Sequence, residues 1–172
     1  MEKKKILFVT DRKEHVETFW NESAAEKCRA YGFDLDIPAA KPDFTPPEWK
    51  NLIGNYDALV TTWNSPVCTA DFLKDAPRVK IIGHCAGSAA AVTDESTYTL
   101  PVKVTTSNPV MAHSVAEWSL MATMLAERNF GAYASFGRNC RMNWEKHFLM
   151  GDIRRMTVGL WGLGAILFYK VF

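Results

Sequence analysis

The sequence predicts an α/β protein built on a parallel sheet and followed by the opening of a second unit. Three observations predict this. Short apolar runs alternate with helical stretches up to Thr106, a long apolar helix comes next, and a later apolar run meets Gly162 and Gly164. A chain of 172 residues is close to one domain of about 150, with room for one sizeable core.

The elements follow in order. Lys5 to Thr10 is a short apolar run and reads as a first strand. From Arg12 the apolar positions change to Val16, Phe19, Trp20, Ala24, Cys28 and Tyr31, which is helical spacing closed by Gly32. Phe33 to Ile37 alternates as a strand, and Thr45-Pro46-Pro47-Glu48 opens a helix with a hydroxyl cap, proline in the first turn and a returning glutamate. Tyr56 to Thr62 is a third strand, Thr69 to Ala76 a short helix and Val79 to His84 a fourth strand. Thr93 to Tyr98 is a helical turn, and Val102 to Thr106 is a fifth strand. Such alternation implies a parallel sheet covered on both faces.

Ser114-Val115-Ala116-Glu117 reads as a capping box that starts a helix running to about Arg128. Val115, Trp118, Leu120, Met121, Met124 and Leu125 leave it apolar on nearly every side, so it needs burial all round. A place between two domains or in a dimer interface supplies that, and the middle of a single core is the alternative. Asn129 to Asp152 reads as a helix with loops, and Thr157 to Trp161 as a new strand.

Composition narrows the function. Hydrophobic residues make up 48% and charged residues 23%, which excludes a disordered or collagen-like chain. Twenty basic against nineteen acidic residues leave +1 with no charged block, so nucleic acid and anionic membrane are not the expected partners. A small molecule is. Cys28, Cys68, Cys85 and Cys140 lie far apart without C-x-x-C spacing, as in reduced thiols of a cytoplasm. Ile6 to Val9 is too short for a signal peptide, and the apolar end from Val158 is shorter than the ~20 residues that span a bilayer.

Two segments invite chemistry. Gly162-Leu163-Gly164-Ala165-Ile166-Leu167 follows an apolar run and matches the first two glycines of G-x-G-x-x-G, where one permits the tight turn and the next admits a pyrophosphate; an ordinary tight turn is the plain alternative. Leu167 stands in the third glycine's place. Gly83-His84-Cys85-Ala86-Gly87-Ser88-Ala89-Ala90 follows a strand with small residues whose amides can face a carboxylate. A nucleophilic pair of His84 and Cys85 is disfavoured, because neighbours on an extended backbone point to opposite faces. His15, His113 and His147 lack the spacing of a metal site and read as surface or capping residues. Asp11 ends the first strand as in a receiver domain, but Thr61-Thr62-Trp63-Asn64 supplies no phosphate-accepting aspartate.

The succession Val79 to Ala91, Val102 to Ser107, Ser114-Val115-Ala116-Glu117, Trp144 and Thr157 to Ile166 resembles the D-isomer-specific 2-hydroxyacid dehydrogenases, the phosphoglycerate dehydrogenase-like family. The resemblance implies a flavodoxin-like substrate domain over residues 1–108. Residues 109–172 would then hold an interdomain and dimerisation helix and the truncated start of a Rossmann domain. It implies NAD or NADP as cofactor, a small 2-hydroxy or 2-oxo acid as substrate, and a homodimer through the helix from Ser114 to Arg128. Ala86, Gly87 and Ser88 resemble the family's carboxylate-binding loop, and Gly162 and Gly164 its pyrophosphate glycines. Met111 departs from the family's asparagine. Members are almost twice as long, and their catalytic arginine, glutamate and histidine fall beyond residue 172, so no residue here is assigned a catalytic role. The tail from Leu167 is unlike the family's helix, as a shifted reading frame or premature stop produces. An inactive N-terminal fragment, a dimerising or ligand-binding module, and a gene fragment without function are the readings this leaves.

Overall fold

The computed structural model describes residues 3–10, 12–37, 46–138 and 152–167. The chain divides into two compact units, Met1–Asn108 and Pro109–Phe172.

In the first unit β1 (Lys4–Val9), β2 (Phe33–Asp36), β3 (Ala58–Thr61), β4 (Ile81–His84) and β5 (Lys103–Thr106) form one sheet. All neighbouring pairs are parallel, in the order β2-β1-β3-β4-β5. The four helices between them are α1 (Lys13–Phe19), α2 (Glu22–Ala30), α3 (Pro46–Ile53) and α4 (Ala70–Leu73). The register aligns Leu7, Leu59 and Ile82 on one face of the sheet. Trp49 and Ile53 of α3 and Phe72 and Leu73 of α4 close over them and make the core. On the other face Phe8 and Ala58 are buried, while Ile81 is 40% exposed.

Each of the five apolar runs forms its strand; β1 begins one residue earlier than its run and ends one earlier, and the others are trimmed by a residue or two. The helix expected from Arg12 to Tyr31 is two helices. Trp20 is extended, and the Asn21 side chain accepts from the Ala24 amide, so a second helix starts where the apolar spacing alone runs on. Gly32 closes it at φ +76°, in the left-handed region where glycine alone is unstrained. The cap expected at Thr45 lies outside the described residues, as do Asp11, Cys140, Trp144, His147 and the tail from residue 168.

In the second unit α5 (Asn108–Glu127) is followed by α6 (Phe130–Arg138). The capping box at Ser114 does not form. The helix has already begun at Asn108, with Pro109 in the first turn where a missing N–H costs nothing, so Ser114 falls inside it. Within the chain itself Ala112 and Ala116 are buried, while Trp118 is 63% exposed and Met121 45%. No helix among the described residues is long and apolar enough to cross a membrane. The strand expected at Thr157 to Trp161 is irregular chain with Trp161 fully exposed, since a strand needs a neighbour to accept its hydrogen bonds and none stands beside it among the described residues.

Asp57 joins the entrances of three strands. Its carboxylate accepts from the Lys5 amide at 2.9 Å and pairs with Arg78 at 3.2 Å and Lys4 at 3.6 Å. Its own carbonyl accepts from the Lys80 amide at 2.9 Å, ahead of β4. The Lys5 hydrogen bond first, and then Arg78, hold its carboxyl below the ordinary 3.8. A carboxylate depressed in this way adds stability above its unfolded value and loses it as pH falls through the folded value. Asp57→Asn is expected to cost about 1 kcal/mol at neutral pH. In urea unfolding curves the gap to the parent protein should close as pH drops below 3.8.

Candidate functional site

In an open parallel sheet, ligands sit beyond the carboxyl ends of the strands, next to the point where the strand order reverses. Here that point lies between β1 and β3, and the β4 end is one strand further on. The loops after β1, β3 and β4 therefore converge on one rim.

The β4 loop is pinned at both ends. The ladder to β3 continues one residue past the strand, where the Cys85 amide donates to the Thr61 carbonyl at 2.8 Å. On the other side the Ser107 amide donates to the carbonyls of His84 and Ala86, both at 3.1 Å. Beyond the loop, Ser88 caps a short turn at Ala89–Ala91 by accepting from the Ala90 amide, and Thr93 Oγ1 donates to the Ala89 carbonyl at 2.8 Å. The buried Val92 carbonyl then accepts from the Cys68 amide at 2.9 Å. Between these anchors the amides of Ala86, Gly87 and Ser88 donate to no group among the described residues. A side-chain carbon at Gly87 would touch Asn108 Oδ1 at 3.4 Å, an ordinary contact, so this glycine is not demanded by space.

His84 lies under the loop and is 2% exposed. Its Nδ1 is 3.0 Å from Thr61 Oγ1, across the β3–β4 register. Burial pushes its titration below the ordinary imidazole value, so the ring is neutral at physiological pH. Cys85 is half-buried, and burial raises its thiol while that of Cys68 is pushed up to about 12. Neither thiol is activated, and His84 bonds to Thr61 rather than to Cys85.

Sequence reasoning missed the neighbouring cluster. His15 on α1 reads as a surface or capping residue by itself, but its Nδ1 is 3.1 Å from Thr62 Oγ1 and 3.4 Å from Thr10 Oγ1. Its ring meets the Trp63 indole edge-on at 5.8 Å, and Phe19 meets the same indole at 5.0 Å. Asn64 at φ +64° turns the chain, and Ser65 Oγ accepts from the Thr62 amide while donating to the Val9 carbonyl. The available signal was positional, since Thr10 and Thr62 end two strands that pair only once the sheet order is known.

The second predicted site lies in the other unit. Gly162 has φ +101°, a conformation that requires glycine, and a helical turn begins at Ala165 directly after Gly164. A side-chain carbon at either glycine would meet nothing within 4 Å. Among the described residues no three of His, Cys, Asp and Glu gather as metal ligands.

Because the native ring of His84 is neutral and the unfolded ring titrates at 6.5, the unfolded chain binds more protons below that value. Its share of stability is complete above 6.5 and is lost as pH falls through the lower folded value. Thermal melts should therefore show a loss between pH 7 and 5 that His84→Gln removes.

No protein-family model matches the chain, and neither does any curated protein. Solved structures do. An acyclic imino acid reductase in complex with NADPH and D-arginine superposes with a TM-score of 0.73 at 20% identity, over 96% of this chain and 51% of its own. A D-lactate dehydrogenase from Treponema pallidum gives 0.70 at 16% identity, over 97% and 48%. The NAD+-bound 3-phosphoglycerate dehydrogenase of Entamoeba histolytica gives 0.53 at 16% identity, over 73% and 40%. The chain thus spans about half the length of these proteins or less, and over that span it has the fold of the D-isomer-specific 2-hydroxyacid dehydrogenases.

Proposed function

We propose that this chain is the acid-binding part of an NAD- or NADP-dependent oxidoreductase of the D-2-hydroxyacid dehydrogenase type. The reaction would transfer hydride between the nicotinamide and the C2 carbon of a small 2-hydroxy or 2-oxo acid. One observation carries the reading: three successive N–H groups, of Ala86, Gly87 and Ser88, have no acceptor among the described residues where the β4 ladder ends. A run of unpaired amides is a seat for an anion, and a carboxylate with two oxygens uses two of them at once.

Gly162 and Gly164 would hold the dinucleotide through its pyrophosphate. The positive φ of Gly162 supplies the turn, and the space beside both glycines is what a phosphate needs. When bound, the nicotinamide supplies the hydride acceptor or donor. Two of the similar structures hold NADPH and NAD+ respectively, which supports a dinucleotide here. The chain's own residues bind and orient the acid. No catalytic residue is assigned within it, and the chain alone is proposed to bind without turning over. Unpaired Cys28, Cys68 and Cys85 suit a cytoplasmic setting.

A second reading, a dimerising module without catalysis, is favoured by the exposure of Trp118, Met121, Met124 and Leu125 on α5. It is compatible with the first, because a homodimer through residues 114–128 would cover that surface.

Three experiments test these readings. Ser88→Pro removes the amide, and Ser88→Ala keeps it while losing the hydroxyl. Pyruvate titrated calorimetrically should bind the first variant roughly tenfold more weakly than the parent and the second about as well. Equal affinities in all three would dismiss the amide seat, and oxidation of NADH by this chain with pyruvate would dismiss the proposal that it is inactive alone. Sedimentation at micromolar concentration should give a dimer that Met121→Glu converts to monomer, and a monomeric parent would exclude the α5 interface.

A further inference from the structure

We propose that the cavity between β1, β2 and the turn from α3 to β3 binds a free diamino acid, a small molecule with two ammonium groups and one carboxylate. It lies at the amino ends of β1 and β3, whereas the acid seat lies at the carboxyl ends of the strands, so the two proposals stand separately.

The sheet register puts charges of both signs on one face. Leu7 belongs to the core, so Lys5, two positions earlier on β1, stands on the same face. Asp34 pairs with Lys5 and Asp36 with Leu7, which adds two carboxylates from the edge strand β2. With Leu35, Asn55 and Tyr56 these residues line a cavity of about 360 Å³, within the range of small-molecule pockets.

The walls are fixed. The Lys5 amide donates to the Asp57 carboxylate at 2.9 Å, and the Lys5 carbonyl accepts from the Asp57 amide at 2.8 Å. Tyr56 is 6% exposed; its amide donates to the Ile53 carbonyl at 3.1 Å, and its hydroxyl donates to Asp36 Oδ2. Burial first, and then Asp36, raise the titration of that hydroxyl, so its proton stays in place. The charges are not spent on one another. Among the described residues neither the Lys5 ammonium nor the Asp34 carboxylate makes an ion pair or a hydrogen bond, and the Asp36 carboxylate accepts from Tyr56 alone.

Group for group, these charges describe the ligand. Neighbouring strands are about 4.8 Å apart, so Lys5 and Asp34 stand side by side and can take the carboxylate and the ammonium of one α-carbon. Asp36 is two residues further along β2, roughly 6.6 Å from Asp34. The two nitrogens of free lysine are roughly 7 Å apart when its chain is extended, so the second ammonium reaches Asp36. Two aspartates and one lysine carry one net negative charge, which a ligand of one net positive charge cancels.

The test titrates free L-lysine into the whole chain by calorimetry, beside norleucine, which lacks the second ammonium, and 1,5-diaminopentane, which lacks the carboxylate. L-lysine should bind roughly tenfold more tightly than either. Asp36→Asn keeps an acceptor for Tyr56 and should bring L-lysine down to the affinity of norleucine. Lys5→Met should bring it down to that of the diamine without weakening the diamine itself, while circular dichroism checks that both variants are folded. Backbone NMR of the parent needs no variant: L-lysine should move the amide resonances of Lys5, Asp34 and Asn55 and leave those of Ala86, Gly87 and Ser88 in place. Equal affinity for the three compounds, or no saturable binding at millimolar concentration, overturns the cavity site and leaves the acid seat untouched. Movement confined to Ala86–Ser88 overturns it too, and supports the acid seat.

Discussion

The functional rim depends on where one parallel ladder stops. β3 and β4 pair in register up to Thr61 and His84, and one further bond runs from the Cys85 amide to the Thr61 carbonyl. Past that point β3 turns away, because Asn64 adopts the left-handed conformation and Ser65 folds the chain back onto Val9. Among the described residues the amides of Ala86, Gly87 and Ser88 find no acceptor on either the β3 or the β5 side. Their freedom results from the architecture and costs free energy unless solvent or a ligand satisfies it. The Ser107 amide bridges the carbonyls of His84 and Ala86 and so ties the start of the loop to the end of β5.

That geometry explains which parts of the molecule could be read from the residues. A parallel strand buried on its faces is a short apolar run, so Ile6 to Val9, Ala58 to Val60 and Ile81 to Ile82 announce themselves. The small residues of Ala86 to Ser88 were legible for a related reason, since they follow such a run. His15 was not legible. Its partners Thr10 and Thr62 are 5 and 47 positions away, and only the strand order β2-β1-β3 joins them. The break at Trp20 and Asn21 was hidden because apolar spacing continues through it, while a single side-chain cap decides against a continuous helix. The early start of α5 was hidden because a plausible cap at Ser114 outshone the less conspicuous Asn108-Pro109.

The strand expected at Thr157 to Trp161 failed for a different reason. Apolar content predicts burial, but a strand also needs hydrogen-bond partners, and those are supplied by neighbours rather than by the segment itself. Leu160, Trp161 and Leu163 are all more than half exposed, an arrangement that water penalises. The same physics governs α5, whose exposed tryptophan, methionines and leucines can all be withdrawn from water only by a surface they do not make with one another. The first unit differs, because α3 and α4 already close Trp49, Ile53, Phe72 and Leu73 over the sheet. These side chains are buried within the first unit itself. That core can hold the Cys85–Ser88 loop and the His15 cluster in fixed positions, so the proposed acid seat stands on a scaffold that the first unit supplies by itself.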